Sequence, residues 1–271
     1  MKILHVTGLN ITDRKTSKSL VVNSSFELKE GDCLAIAGES GSGKSLTCRA
    51  IMRLNKPELK QTGSILYNGE DLNLLSSQAM RSMRGKQLCY IPQNGMTAFD
   101  PTCVVGVHLH ETLAQHFSWN KSERITAITR AVESVALKQP VELMNKYPHE
   151  LSGGMLQRIM IALALILEPK LIIADEPTTA LDAISQYEVI EQLKALRQRL
   201  NCSMMIVSHD LGVIKKLADQ VLIMKDGSII ERGPKHSIFT EAKHNYTKTL
   251  VSSKLLLADH FNQLMREDAT C

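Results

Sequence analysis

The sequence predicts an α/β protein: a mostly parallel core sheet, an antiparallel β subdomain at the N-terminal end, and a helical subdomain inserted into the core. Three observations predict it. From Leu171 onward, short apolar runs of strand length alternate with helical stretches, the pattern of a parallel sheet buried on both faces. The first 30 residues instead hold two longer segments that alternate apolar and polar side chains. Between them, residues 95–168 carry a helical pattern almost throughout.

Taken in order, "KILHVTGLNI" and "SLVVNSSFEL" read as strands, joined by a polar turn at Asp13–Lys18. "CLAIAG" at 33–38 is a buried strand ending at Gly38, and a helix follows from Lys44 to about Leu54, stopped near Pro57. "GSILYNGEDL" at 63–72 is a hairpin turning at Asn68–Gly69. "LCYIPQ" at 88–93 leads into the helical insert. The core then resumes with "LIIAD", a helix over 183–200, "SMMIVS", a helix over 210–217 and "QVLIMKDG". One domain is thus expected over 3–250, with 3–94 and 169–233 forming the core and β subdomain and 95–168 the insert. Residues 234–271 are a C-terminal extension, of which 257–271 is expected to be a loosely held tail.

With 271 residues and 44% hydrophobic composition, the chain can bury a sizeable core. Its longest apolar run, Ile159–Leu167, is nine residues between Arg158 and Glu168, short of the roughly 18–20 that a membrane-spanning helix requires. "MKILHVTGLN" lacks the apolar core of a signal peptide, which points to the cytosol. Net charge is +4 with dispersed basic residues and only 4% aromatics, so a nucleic-acid surface is not indicated. The six cysteines fall at scattered spacings without a C-x-x-C pair, which suits reduced thiols better than a disulfide or zinc framework.

"GESGSGKS" fits G-x-x-x-x-G-K-[ST] at Gly38, Gly43, Lys44 and Ser45, and it follows a strand and opens a helix, the context this phosphate-binding loop requires. Its glycines let successive N–H groups turn toward phosphate oxygens, so Gly38, Glu39, Ser40, Gly41, Ser42, Gly43, Lys44, Ser45 and Leu46 are the expected cradle. Lys44 is expected to reach the outer phosphates of ATP, and the Ser45 hydroxyl to ligate Mg2+. In "LIIADEPTTALD", Asp175 leaves the end of a strand, where it is expected to hold Mg2+, and Glu176 is placed to deprotonate a water attacking the γ-phosphate. His209, after "MMIVS", is placed to donate a hydrogen bond to that group. "LSGG" at 151–154 opens a second helix with a second anion cradle, and this one has no lysine.

In order and spacing, "GESGSGKS", Gln93 in "IPQN", "LSGGMLQR", "LIIADEP", "ALD" at 180–182 and "SHD" resemble the ATPase domains of ABC transporters, from about residue 3 to 250. The resemblance implies two ATPase domains packed head to tail, with each ATP between the phosphate loop of one and the LSGG helix of the other. Ser152, Gly153 and Gly154 would then clamp a nucleotide already held by the partner's lysine. Asp182 would lie at the seam, and Gln93 would sense Mg2+ and the attacking water. "LSGGMLQR", "EPTTALD" and "HNYTKTLVSS" at 244–253 further resemble the branch that imports peptides and nickel, whose members carry a Tyr-Thr-x-x-Leu segment after the core. That branch implies a second ATPase subunit (a heterodimer, or else a homodimer), two membrane permeases and an external substrate-binding lipoprotein. The chain would sit peripherally on the cytoplasmic face of the cell membrane, with permease helices received beside Gln93 and the surface at 95–117. The expected cargo is a metal–ligand complex of the nickel, cobalt or zinc chelate type, or a small peptide. A soluble ABC protein acting on ribosomes or DNA, a small-molecule kinase and an exporter ATPase are the alternatives.

The sequence departs from the family in three places. The aromatic that usually stacks on adenine falls near Asp13, and no aromatic precedes Phe26, so weak or base-tolerant nucleotide binding is expected. "GMTAFDP" at 95–101 replaces the usual "PMTSLNP" after the glutamine. Only Cys271 lies in the extension, so an iron–sulfur centre is not expected. His108, His110 and His116 invite a metal reading, but on a helix 108 and 110 point to different faces, so structural or solvent-facing histidines are expected.

Overall fold

The computed structural model describes residues 1–253. The expected tail at 257–271, Cys271 included, lies outside the described residues. Strands β1 (Lys2–Asp13) and β2 (Ser19–Lys29) form a hairpin, and β3 (Cys33–Ala37) leads into helix α1 (Lys44–Ile51). Strands β4 (Leu59–Tyr67) and β5 (Glu70–Asp71) turn at Asn68 and Gly69, whose φ angles of 49° and 86° are those of a tight hairpin turn. Helix α2 (Ser77–Met83) and strand β6 (Leu88–Ile91) complete the first half.

Residues 95–168 are helical as expected. A 3-10 turn at Gly95–Ala98 precedes α3 (Val105–His116), α4 (Lys121–Ser134) and α5 (Pro140–Met144). A second 3-10 turn, Pro148–Glu150, leads to α6 (Gly153–Leu167). Asn120 and Glu123 form a reciprocal capping box at the start of α4, which satisfies two otherwise orphaned donors. The core returns with β7 (Leu171–Asp175), α7 (Ala183–Leu200), β8 (Ser203–Val207) and α8 (Leu211–Leu217). Strands β9 (Gln220–Lys225) and β10 (Ser228–Pro234) and helix α9 (Lys235–Thr240) follow, and the chain is helical again over 245–253.

Two sheets result. One is antiparallel in the order β2-β1-β4-β5; the other runs β10-β9-β3-β8-β7-β6 and is parallel except for β10. Strands β3, β7 and β8 are buried at every position, and their side chains divide between two apolar layers with the period of two that a pleated strand imposes. Ala35, Ile172 and Ile206 face the layer built by α6, α7 and the helical insert, whereas Ile36, Ile173 and Val207 face the layer shared with α1 and the antiparallel sheet. The core sheet is therefore clamped on both faces, and its strand ends are rigid supports for whatever projects from them. Burial raises the Cys33 and Cys89 thiols to about 12 and Cys202 to about 11, which keeps them protonated and unreactive.

Helices α2 and α9 and the early start of β4 at Leu59 add to the expected elements, and two further differences have a clear local cause. Helix α1 stops at Ile51 rather than Leu54, because Arg53 adopts a φ of 50° and the Leu54 amide returns to the Arg49 carbonyl at 2.8 Å. The Arg84 guanidinium then covers the freed Met52 and Arg53 carbonyls at 2.8–3.0 Å. Strand β10 was not foreseen; it forms because Asp226 and Gly227, both at positive φ, turn β9 back on itself. Among the described residues no helix is long and apolar enough to cross a membrane.

Candidate nucleotide site

The loop at 38–43 is dictated by its glycines. A Cβ on Gly38 would lie 2.2 Å from the Met224 carbonyl, and Gly43 caps α1 at a φ of 98° with its own Cβ position 2.9 Å from the Leu20 carbonyl. The loop is thus wedged against β9 and β2. The Ser42 hydroxyl is buried and has no hydrogen-bond partner among the described residues, a polar group of the kind a bound anion satisfies.

Lys44 is only 4% exposed, and its ammonium donates to the Gly38 and Glu39 carbonyls at 2.9 and 2.8 Å. It also lies 3.8 Å from Glu176 Oε1. Burial pulls the Lys44 pKa below its ordinary value, and the charges of Glu176 and Asp175 oppose that pull. Next to it, the Ser45 hydroxyl donates to Asp175 Oδ1 at 2.7 Å. Asp175 is fully buried at the end of β7, and its other oxygen accepts from the Tyr90 hydroxyl at 2.7 Å. Burial and the adjacent Asp175 charge push the Tyr90 phenol upward, so it remains a donor. Tyr90 was not among the expected site residues; its only sequence signal is its place on β6, in register with β7.

Glu176 adopts a φ of 47°, unusual for a non-glycine residue, while its amide donates to the Val207 carbonyl at 2.9 Å. One of its oxygens, Oε2, collects three partners: Thr179 Oγ1 at 2.9 Å, Gln93 Nε2 at 3.2 Å and His209 Nδ1 at 3.2 Å. Thr179, like Tyr90, was not anticipated. The cleft bounded by Ser40, Lys44, Ser45, Leu46, Gln93, Glu176 and His209 has a volume of about 460 Å³. Residues from 38 to 46, 93, 175, 176 and 209, drawn from four separate stretches of sequence, therefore meet at the ends of parallel strands, where α/β sheets bind ligands.

The other expected residues lie apart from that cleft. Ser152 caps α6, accepting from the Met155 amide at 3.2 Å, and both Ser152 and Gly153 are exposed. Gly154 is buried, and a Cβ there would meet the Ser185 side chain at 2.8 Å. Gly153 lines a smaller cavity of about 330 Å³ together with Gln93, Thr179 and Leu181. Asp182 caps α7 through the Ile184 and Ser185 amides at 3.1 and 2.9 Å. The Ser185 amide and hydroxyl, foremost among its partners, hold this carboxyl below its ordinary range.

Asp13, at the position of the missing aromatic, spends its carboxylate on the Lys15 and Thr16 amides at 2.7 and 3.1 Å, closing the β1–β2 turn. The three histidines of α3 go to different surroundings. His108 Nε2 accepts from the Asp100 amide at 3.1 Å, His110 sits among Arg124 and Lys121, and His116 packs over Gly85. The segment at 95–101 borders a larger groove of about 1090 Å³ between the core and the insert, lined by Arg81, Arg84, Tyr90, Pro92, Ala98 and Gln115 among others.

Comparison with known proteins gives these features a context. Residues 21–179 match the family described as ABC transporter. The metal-staphylopine import system ATP-binding protein CntD of Staphylococcus aureus is 45% identical over 268 residues, spanning 99% of both chains. The dipeptide transport ATP-binding protein DppD of Bacillus subtilis is 41% identical over 256 residues, 93% of this chain and 76% of that one. Among solved structures, a dimeric post-hydrolysis ATP-binding cassette bound to ADP and Pi has a TM-score of 0.76 at 24% identity, covering 86% of this chain and 98% of that one, which establishes likeness of fold.

Proposed function

Because this chain belongs to the ABC transporter family of ATP-binding proteins, we propose that it is the ATP-hydrolysing subunit of an importer for metal–ligand chelates. The observation that carries the catalytic part is the convergence of Lys44, Ser45 and Glu176 on one cleft of about 460 Å³, with Asp175 buried directly behind Ser45. The cargo is supported by end-to-end similarity to a metal-staphylopine import ATPase, 45% identical across 99% of both chains. Similarity to the dipeptide import ATPase, 41% over 93% of this chain, favours a small peptide as the second reading.

The donor set suits Mg2+: the hydroxyl of Ser45 and the carboxylate of Asp175 are hard oxygen ligands already in contact at 2.7 Å. Ser45 and Asp175, with Gln93, would hold the ion, which when bound offsets the charge of the triphosphate. Lys44 and the N–H groups of residues 40–45 grip the phosphates. Glu176 takes the proton from the attacking water, a role for which the three partners on Oε2 hold it in place. His209, at 3.2 Å from that oxygen, is set to donate to the γ-phosphate once nucleotide is bound.

Ser152, Gly153, Gly154 and Asp182 are assigned to the nucleotide of a second ATPase subunit. Supporting this, Ser152 and Gly153 open a 15-residue helix at the surface rather than in the Lys44 cleft. ATP would favour the closed pair, and loss of the γ-phosphate would release it. A short permease helix would dock in the groove of about 1090 Å³ at the core–insert boundary, and the second permease on the other ATPase subunit; the chain would then sit peripherally on the cytoplasmic face of the membrane, with a binding lipoprotein outside. The domain limits, 3–94 with 169–233 for the core and 95–168 for the insert, follow the same division.

Cellular nickel, cobalt and zinc, measured with chelator supplied, test the cargo in a deletion strain complemented by wild type or by Lys44→Ala. Metal content is expected to recover with wild type and to stay low with the variant. Unchanged metal content alongside lost dipeptide uptake would select the peptide reading.

A further inference from the structure

The segment "HNYTKTL" at 244–250 plays no part in the site above, yet it reaches that site. The Glu39 amide donates to the Tyr246 phenol oxygen at 3.1 Å, across 207 residues of sequence. The same peptide plane carries the Gly38 carbonyl, which accepts from Lys44 Nζ at 2.9 Å. The first peptide of the phosphate loop is therefore pinned from both sides, by the loop's own lysine and by a tyrosine from the C-terminal extension.

Tyr246 is itself firmly held. The Glu231 carboxylate on β10 accepts from the Lys243 and His244 amides at 2.7 and 3.1 Å, fixing the chain just before it. The Tyr246 amide donates to His244 Nδ1 at 3.1 Å, and the Lys225 ammonium lies 5.1 Å from the centre of the tyrosine ring. One and five residues on, Thr247 and Val251 are buried. A side chain anchored in this way has little entropy left to lose, so its hydrogen bond to the phosphate loop acts as a brace.

We propose that Tyr246 is a positioning residue of the nucleotide site. It braces the Gly38–Glu39 peptide so that the following N–H groups keep their aim at the phosphates, and it makes affinity for the nucleotide depend on the C-terminal extension. The proposal rests on the reading of this loop as an ATP site. A loop held in its binding conformation spends less of its contact energy on ordering, so the brace strengthens binding without touching the ligand. Loss of one such hydrogen bond weakens nucleotide binding about three- to tenfold.

The test uses the full-length chain as wild type, Tyr246→Phe and Lys44→Ala, titrated with a fluorescent ATP analogue in the presence of Mg2+. Phe keeps the ring and its packing and removes only the hydroxyl that accepts from the Glu39 amide. Tyr246→Phe is expected to raise Kd and the KM for ATP about three- to tenfold, with kcat at saturation moving less than twofold. Hydrogen exchange in the peptide spanning 38–41 is expected to accelerate in the nucleotide-free variant. Unchanged Kd and unchanged exchange would overturn the proposal, as would a fall in kcat and melting temperature with KM unmoved, the mark of a packing role alone. Wild type that binds the analogue, with binding lost in Lys44→Ala, keeps the ATP-site reading in force whichever way Tyr246→Phe behaves; wild type that fails to bind would overturn both.

Discussion

The Ser45 hydroxyl donates to Asp175 Oδ1 at 2.7 Å, joining the first turn of α1 to the end of β7 across 130 residues. Asp175 has no exposure to solvent and accepts from Tyr90 as well, so its position is fixed before any ligand arrives. Asp175→Asn keeps the volume and removes the charge. Hydrolysis is expected to fall by about 10²-fold or more, and the Mg2+ concentration for half-maximal activity to rise. Turnover measured against Mg2+ concentration checks this; an unchanged Mg2+ requirement would remove Asp175 from the metal site.

Glu176 separates binding from chemistry. Its Oε2 is shared by Thr179, Gln93 and His209 at 2.9–3.2 Å, and Gln at this position preserves the shape of that cluster. Glu176→Gln is expected to bind ATP as wild type does and to hydrolyse it about 10²- to 10⁴-fold more slowly, the scale of a lost general base. Binding by titration and turnover by phosphate release, taken side by side, give the answer. Equal turnover would mean that another group activates the water.

Gly85, in the turn between α2 and β6 of the core, packs against His116 of the helical insert. A Cβ there would fall 2.4 Å from His116 Nε2, and the φ of 93° is itself strained for any other residue. Gly85→Ala is expected to destabilise the fold by about 1–3 kcal/mol. In the His116→Ala background the ring is gone and only the backbone part of that loss should remain. Thermal melts of the two single variants and the double variant measure the coupling; strictly additive losses would contradict the contact.

The same histidine gives stability a pH dependence. His110 and His116 are both held below the ordinary histidine pKa of 6.5, by burial first and then by Arg124 and Lys121 for His110 and Lys86 for His116. The fold thus favours the neutral rings, and below pH 6.5 the unfolded chain binds the extra protons. Their contribution is complete above that value and is lost as pH falls through the lower folded-state values. The melting temperature is expected to climb from about pH 5 to about pH 7, and His116→Gln to make the climb shallower. A profile unchanged by His116→Gln would remove this residue from the account.

Much of the fold was legible because its signals are local. The five-residue apolar strands β3, β7 and β8, the phosphate loop between β3 and α1, and the helix at 183–200 each announce themselves within a dozen residues of sequence. Strand β10 has a local signal too, the Asp226–Gly227 pair that turns β9 back on itself. Tyr90 and Thr179 were not legible. Each acts through one hydrogen bond to a carboxylate, and nothing in "LCYIPQ" or "EPTTALD" says which polar side chain will face the strand end. The early stop of α1 was hidden for a similar reason, since its freed carbonyls are covered by Arg84, more than thirty residues downstream.

Whether two chains are needed to complete each nucleotide site is decided most directly by hydrolysis per chain across a hundredfold dilution, in wild type and in Ser152→Asn. Asparagine retains the cap on α6 that Ser152 supplies at 3.2 Å, so the variant alters the surface offered to a partner rather than the helix. Turnover per chain should decline on dilution, and Ser152→Asn should be slow although its own Lys44 loop is intact and still binds ATP. Turnover that ignores both concentration and the identity of residue 152 would contradict the account.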